Sequence, residues 1–400
     1  MNAKSGSTPA AAGSLDRDFG NAGKVGISFP GSVLRGTAVP QPDGTILSVG
    51  TVLRDQLVLA RLLSDGAPDG SFGNEGMMQI PLVPGSGILD TLFASQDDGK
   101  IIVLGTLEGP PEWVLVFVRL LPDGRLDSTF GAGGMAFVNV LGGDDEAHAV
   151  AIQPDGKIIA TSRVIYDFNV YKAVVLRLTA TGALDPAFGL GGIVLTQRQA
   201  FHCTRVQQDG SILVGGSDPS EMPMIARFHR DGKLDPGFGV GGYATIAVET
   251  AWRGQIDGLA LQPDGKIVAA GRADFDVKGT RSLVTRLDPQ GRPDPSFNEG
   301  RPQVTGIGET GAAISTSVVV QSDGKIVVSG YKEGSITLIR YLADGQLDVD
   351  FGESGRVITD FAEGGVVMSS RVGLQADGKI VVSGHAIGGI HGIGIARYLP

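Results

Sequence analysis

The chain has one cysteine, Cys203, among 400 residues, so no disulfide can form within it, as suits a reducing compartment. Aromatic residues make up only 6%, so any core must be built mainly from Val, Ile, Leu and Ala. No run of about 18 apolar residues is present to span a membrane as a helix. Residues 1–12 are small and polar and lack the apolar segment of a secretory signal. Cations are the minority, with 33 Lys and Arg against 43 Asp and Glu, for a net charge of −10. Phosphate backbones and anionic membranes call for clustered Lys and Arg, so neither nucleic acid nor a membrane is expected as a partner. These absences lead us to expect a cytoplasmic protein, with signal-independent export as the other route. Residues 1–12 are expected to form a flexible segment before a single domain over 13–400.

What the chain has in excess is glycine, 62 residues, about twice ordinary usage. That load suits many tight turns and argues against long helices. No segment shows convincing helical periodicity. Instead the chain repeats itself. A phenylalanine with Asp three positions before it recurs at Phe19, Phe72, Phe130, Phe188, Phe238, Phe297 and Phe351, a period of about 55 residues. The full unit reads L-D-x-x-F-G-x-x-G, as at Leu126–Gly134 and Leu184–Gly192. In phase with it, Asp-Gly pairs begin at Asp43, Asp98, Asp155, Asp209, Asp264, Asp323 and Asp377. An Asp-Gly pair between apolar runs is a strong hairpin signal. A third marker is an arginine in an apolar run: Arg61, Arg119, Arg177, Arg227, Arg286, Arg340 and Arg397.

Each unit reads as four short strands. In the third unit these lie near 135–140, 148–153, 157–162 and 173–178. Four strands in about 55 residues is the size of a propeller blade. The expected fold is therefore all-β: a closed seven-bladed β-propeller with four antiparallel strands per blade and adjacent termini. The last unit stops at Pro400, and the linker it lacks is found at Gly13–Gly20. The phase thus runs across the termini, as a ring demands. Pro400 is expected near Gly13, joined by a shared linker with no swapped strand.

The three markers in fixed order, from about Gly13 to Pro400, resemble the delta-60 repeat family of bacterial propeller-like proteins. Single copies depart from the pattern: Pro68-Asp69-Gly70-Ser71-Phe72, Asp209-Gly210-Ser211 without the lysine, and Phe297-Asn298 in place of Phe-Gly. The resemblance implies a propeller and no established catalytic residues.

The repeated arginines are expected to be structural. Each precedes by eight residues the Asp of the next linker: Arg61 and Asp69, Arg119 and Asp127, Arg177 and Asp185, Arg227 and Asp235, Arg286 and Asp294, Arg340 and Asp348. Arg397 is left for Asp16. A planar guanidinium clamps a carboxylate and loop carbonyls well. The repeated Phe is expected to wedge between blades. The Asp-Gly pairs lack the alternating carboxylates of a calcium loop and read as turns.

The Asp-Gly turns and the L-D-x-x-F-G linkers should share one face, leaving the variable connections on the other. Binding residues favour variable loops on a rigid scaffold. Those loops hold Trp113, Trp252, the aromatics Tyr166, Phe168 and Tyr171 within Val164–Lys172, and Phe275 between Asp274 and Asp276. Trp113, Trp252, Tyr166, Tyr171 and Phe275 are the candidate partner-binding residues. Asp144, Asp145 and Glu146 are a weak metal candidate beside His148. Adjacent His202 and Cys203 have poor geometry for shared zinc, and His385 and His391 lack a third ligand. No nucleophile elbow, zinc-protease helix or dinucleotide motif is present, and no cofactor is expected. The expected function is a non-catalytic scaffold that binds a protein or carbohydrate partner through one face. The loops share no repeated polar-aromatic pattern, which ranks a multivalent lectin below a one-sided protein surface. A hydrolase or lyase with its site at the central channel is the alternative.

Overall fold

The protein is described by a computed structural model covering residues 11–29, 33–52, 56–82, 87–109, 111–167, 170–197, 200–277, 279–306, 314–361, 366–387 and 392–400. Residues 1–10, Phe168 and His391, named above, lie outside these. Seven four-stranded antiparallel sheets form the blades of a propeller. Blade 3 is representative, running Asp144–Ile152, Ile158–Asp167, Val170–Leu178 and Ile193–Leu195 from centre to rim. The innermost strands are Val33–Pro40, Gly87–Ser95, Asp144–Ile152, Ala200–Val206, Arg253–Leu261, Ile314–Val320 and Val366–Leu374. Each packs beside the innermost strands of its neighbours. Among the described residues no helix is long and apolar enough to cross a membrane.

Two expectations need correction. The strand after each L-D-x-x-F-G linker does not open a new blade. It pairs with the preceding strand and closes the blade before it, as Met135–Val138 does on Val114–Leu120. Consequently the ring does close with a swapped strand. Lys24–Ser28 is the outer strand of blade 7, paired with Gly392–Tyr398. The termini are adjacent: the Gly13 N–H donates to the Leu399 carbonyl at 3.0 Å, and Asp16 N–H to Arg397 at 2.8 Å. The repeat looks continuous under either phase, so only the hydrogen-bond register separates them.

The core lies between blades. Strand Ile46–Val52 is buried at every position, because a middle strand carries a neighbouring blade on both faces. The outer strands are only three to five residues long, a length that blunts exposed sheet edges.

The seven arginines form one repeated clasp. Arg119 Nε donates to Asp127 Oδ2 at 2.9 Å, Arg177 to Asp185 at 2.8 Å, and Arg397 to Asp16 at 2.9 Å. The pairs Arg61–Asp69, Arg227–Asp235, Arg286–Asp294 and Arg340–Asp348 repeat this. Each guanidinium also lies over the Phe of its own linker, as Arg119 does over Phe130 at 4.7 Å and Arg397 over Phe19 at 4.7 Å. In six copies a second nitrogen reaches a turn carbonyl of the next blade; Arg61 reaches Pro122 and Arg397 reaches Ser64. Arg340 makes no such carbonyl bond among the described residues, since the turn it would reach is where the chain ends meet. The Phe itself wedges beneath the next blade's turn: a Cβ on Gly124 would stand 2.8 Å from Phe72. Where the sixth linker has Asn for Gly, Asn298 takes the same left-handed φ of 44°, which Asn tolerates better than most residues.

Candidate functional site

The Asp-Gly turns and the linkers share one face, so the variable connections converge on the other. There a cleft of about 430 Å³ opens between blades 3, 4 and 5. Arg163 and Tyr171 form one wall, Asp218 and Glu221 the turn of blade 4, and Arg253 and Arg272 the far wall. His202 lies at its base and also lines a smaller cavity in the central channel.

The polar side chains are held in pairs. Arg163 bonds Glu146 Oε2 and stacks over Tyr171 at 5.3 Å. Arg253 donates to Asp274 Oδ2 at 2.6 Å and stacks over Trp252 at 4.3 Å. Arg272 donates to the neutral Gln255 side chain at 3.0 Å. Two aromatic faces thus sit beside planar guanidinium groups at the edge of one concavity.

Beneath the cleft, every innermost strand carries a β-bulge. The register skips Leu34, Asp90, His148, His202, Asp257, Thr316 and Ser369 in turn. A bulge re-aims a side chain and ends regular pairing, and His202, Asp257 and Thr316 of this set line the channel cavity. The His148 and His202 rings lie 5.2 Å apart, and His148 Nδ1 meets the Phe201 carbonyl at 2.7 Å. Burial, then the neighbouring imidazole, lowers His148 to about 3, and burial with Arg272 and Arg163 lowers His202 to about 4. Both rings are therefore neutral at pH 7. Burial raises the Asp257 carboxyl to about 6. Its Oδ1 accepts from Gln255 at 2.5 Å, and its Oδ2 is buried without a bonded partner among the described residues.

The sequence candidates divide. Tyr171 lines the cleft, and Trp252, 51% exposed, flanks it. Trp113 and Tyr166 stand elsewhere, where blade 2 meets blade 3. The Trp113 N–H donates to Asp144 Oδ1 at 2.8 Å, and Tyr166 packs on Gly143. Residues 164–172 are largely strand, so Tyr166 and Tyr171 sit on strands where a loop was expected. Phe275 is no surface residue: it is 8% exposed and belongs to the core shared by blades 4 and 5. Asp144, Asp145 and Glu146 alternate along a strand and serve three partners, Trp113, the Val140 N–H and Arg163. They do not converge, and no cluster able to hold a metal is present among the described residues. Cys203 is buried, and burial pushes its thiol up to about 12. Sequence reasoning missed Arg163, Arg253, Gln255, Arg272, Asp257, Arg205 and Arg371. For the charged ones the available signal was a charge interrupting an apolar run on the first or second strand of a blade.

Solved structures with the same architecture are distant. Drosophila Semaphorin 2a matches with a TM-score of 0.53 at 12% identity, covering 94% of this chain and 74% of that one. Drosophila Semaphorin 1a gives 0.51 at 10%, covering 94% and 87%. Polysaccharide lyase Uly1 gives 0.50 at 10%, covering 99% and 94%. At these identities the likeness is one of fold alone. A comparison with curated proteins finds no match. Seven segments, residues 41–72, 96–130, 153–188, 207–238, 262–297, 321–351 and 375–400, match one family model and together span more than half of the chain. Each runs from an Asp-Gly turn towards the linker Phe, so the inner-strand bulges fall between them. With this match over all seven blades, the chain belongs to the β-propeller family described as a domain of unknown function, DUF5122.

Proposed function

We propose that the protein is a non-catalytic binding propeller and that its ligand is a carbohydrate held in the cleft between blades 3, 4 and 5. The observation that carries this is the cleft itself: about 430 Å³, within the range of small-ligand sites. Tyr171 and the flanking Trp252 offer apolar ring faces. Arg272, Gln255, Asp218 and Glu221 offer the fixed donors and acceptors that hydroxyl groups need. A protein partner would require about 800 Å² of matched surface on this side, far more than the cleft presents. The repeat's resemblance to the delta-60 family, without established catalytic residues, favours binding over turnover. Calorimetry against oligosaccharides chosen from a glycan array tests the reading. Wild type should bind one sugar class, and Tyr171→Ala and Arg272→Ala should each weaken it about tenfold. An array without hits, or binding unchanged in both folded variants, overturns it.

A second reading rests on Asp257. A carboxyl raised to about 6 in a channel suits a general acid, as a hydrolase or lyase would need. Turnover of a bound saccharide, abolished by Asp257→Asn with binding retained, would favour the enzyme.

A further inference from the structure

Below the cleft the channel narrows to a cavity of about 30 Å³ whose wall includes Arg205 of blade 4 and Arg371 of blade 7. We infer that this cavity holds one small monovalent anion of halide size between the guanidinium groups of Arg205 and Arg371. The inference is independent of the carbohydrate reading, since it uses a different cavity, and neither Arg205 nor Arg371 lines the cleft.

These two arginines lack the carboxylate that most arginines around the site have. Arg163 and Arg253 pair with Glu146 and Asp274, and all seven clasp arginines have their aspartates. Arg205 donates, among the described residues, to the Thr204 carbonyl alone, at 2.8 Å. Among the described residues neither Arg205 nor Arg371 has a carboxylate within ion-pair distance. The one carboxylate on the cavity wall among the described residues is Asp257. Its Oδ1 accepts from Gln255, it feels the charge of Arg272 on its own blade, and it forms no ion pair with either arginine of the cavity among the described residues. Burial lowers Arg205, while burial and the like charge of Arg205 lower Arg371 to about 10. Two enclosed cations that repel each other need a counter-charge to offset their lost hydration. The excess is local, because the chain as a whole carries −10.

Size sets the class of ion. A cavity of about 30 Å³ has room for about two water molecules, enough for a single halide. Thr316 and His202 also border it, and the neutral imidazole adds no opposing charge.

The test is a chloride titration of the whole protein at fixed ionic strength, with gluconate replacing chloride. Chloride should raise the melting temperature saturably, as a ligand of the native state does. It should also broaden the ³⁵Cl resonance, and bromide should reverse that broadening. Arg371→Met should weaken chloride about tenfold or more, whereas Arg371→Lys, which keeps the charge, should retain most of it. Equal melting temperatures in chloride and gluconate, with no bromide-sensitive broadening in wild type, would overturn the proposal. The wild-type measurements decide it even if Arg371→Met fails to fold.

Discussion

At the turn-and-linker face, seven blades carry the same parts in the same places: an arginine, its aspartate, a phenylalanine and the glycine above it. On the inner strands, all seven blades share a backbone device, the bulge, but not a residue. Two histidines, an aspartate and a threonine occupy it in four consecutive blades. The repeated parts join each blade to the next, so a change in one copy weakens one joint of the ring. The bulges hold the channel geometry constant while the side chain varies, which leaves them free to carry a site. The segments matched by the family model contain the first set and skip the second.

The comparison breaks first at the ring's seam. Removing residues 1–28 takes away the outer strand of blade 7 together with Asp16 and Phe19. The edge of Gly392–Tyr398 is then exposed for pairing with other chains. We expect loss of the closed monomer, read by size-exclusion chromatography as oligomer or aggregate. A compact monomer with unchanged melting would mean that the seam does not close the fold. Arg397→Ala keeps the strand and removes only the clasp. Its ion pair is 5% and 6% exposed, and breaking a pair so buried costs about 3–5 kcal/mol. Arg61→Ala should cost less, because its pair is 18% and 11% exposed and water takes up more of the stranded carboxylate. Urea denaturation of the two variants ranks them.

Most of the fold was legible in the sequence, because Asp-Gly, the arginine and L-D-x-x-F-G are local patterns with fixed spacing. Strand phase was not. A repeat of four strands reads the same wherever it is cut, and only the pairing of Met135–Val138 with Val114–Leu120 decides it. The site was less legible still. Tyr171 and Trp252 stood out by residue type, but Phe275 did too, and it is core. The channel residues come from strands that are far apart in sequence. Their convergence depends on the ring and on bulges that leave no local mark. His202 beside Cys203 looked unpromising for zinc, and its neighbour in space is His148, from another blade.

A smaller effect is expected at a single glycine of the clasp. Gly124 has φ of 90°, and its Cβ would stand 2.8 Å from the Phe72 ring. Gly124→Ala should therefore cost about 1–3 kcal/mol, measured by urea denaturation. A neutral result would show that the Phe wedge has room to shift.

Asp145 sharpens the contrast through pH. It is fully buried at the head of the third inner strand, with Oδ2 on the Val140 N–H at 2.7 Å and Oδ1 unbonded among the described residues. Burial raises its carboxyl from 3.8 to about 7, helped by the Asp144 and Glu112 carboxylates, and the Tyr166 hydroxyl also faces it. A raised acid favours the native state while it is protonated. Its contribution is complete below about 3.8 and is lost as pH rises through about 7. Relative to Asp145→Asn, wild type should lose stability between pH 4 and pH 7, seen in melting temperatures across that range. Parallel profiles for the two proteins would place a charged Asp145 in the native state.

The smallest change in stability is expected at the cleft. Trp252 is 51% exposed, and its ring lies against Arg253, itself anchored by Asp274. Trp252→Ala leaves that ion pair and the core intact, so stability should change by no more than about 0.5 kcal/mol. Saccharide affinity should fall about tenfold in the same variant. A loss of stability comparable to that of Arg397→Ala would mean that the cleft walls help to hold blades 4 and 5 together. The division between a face that closes the ring and a face that binds would then not hold at this blade pair.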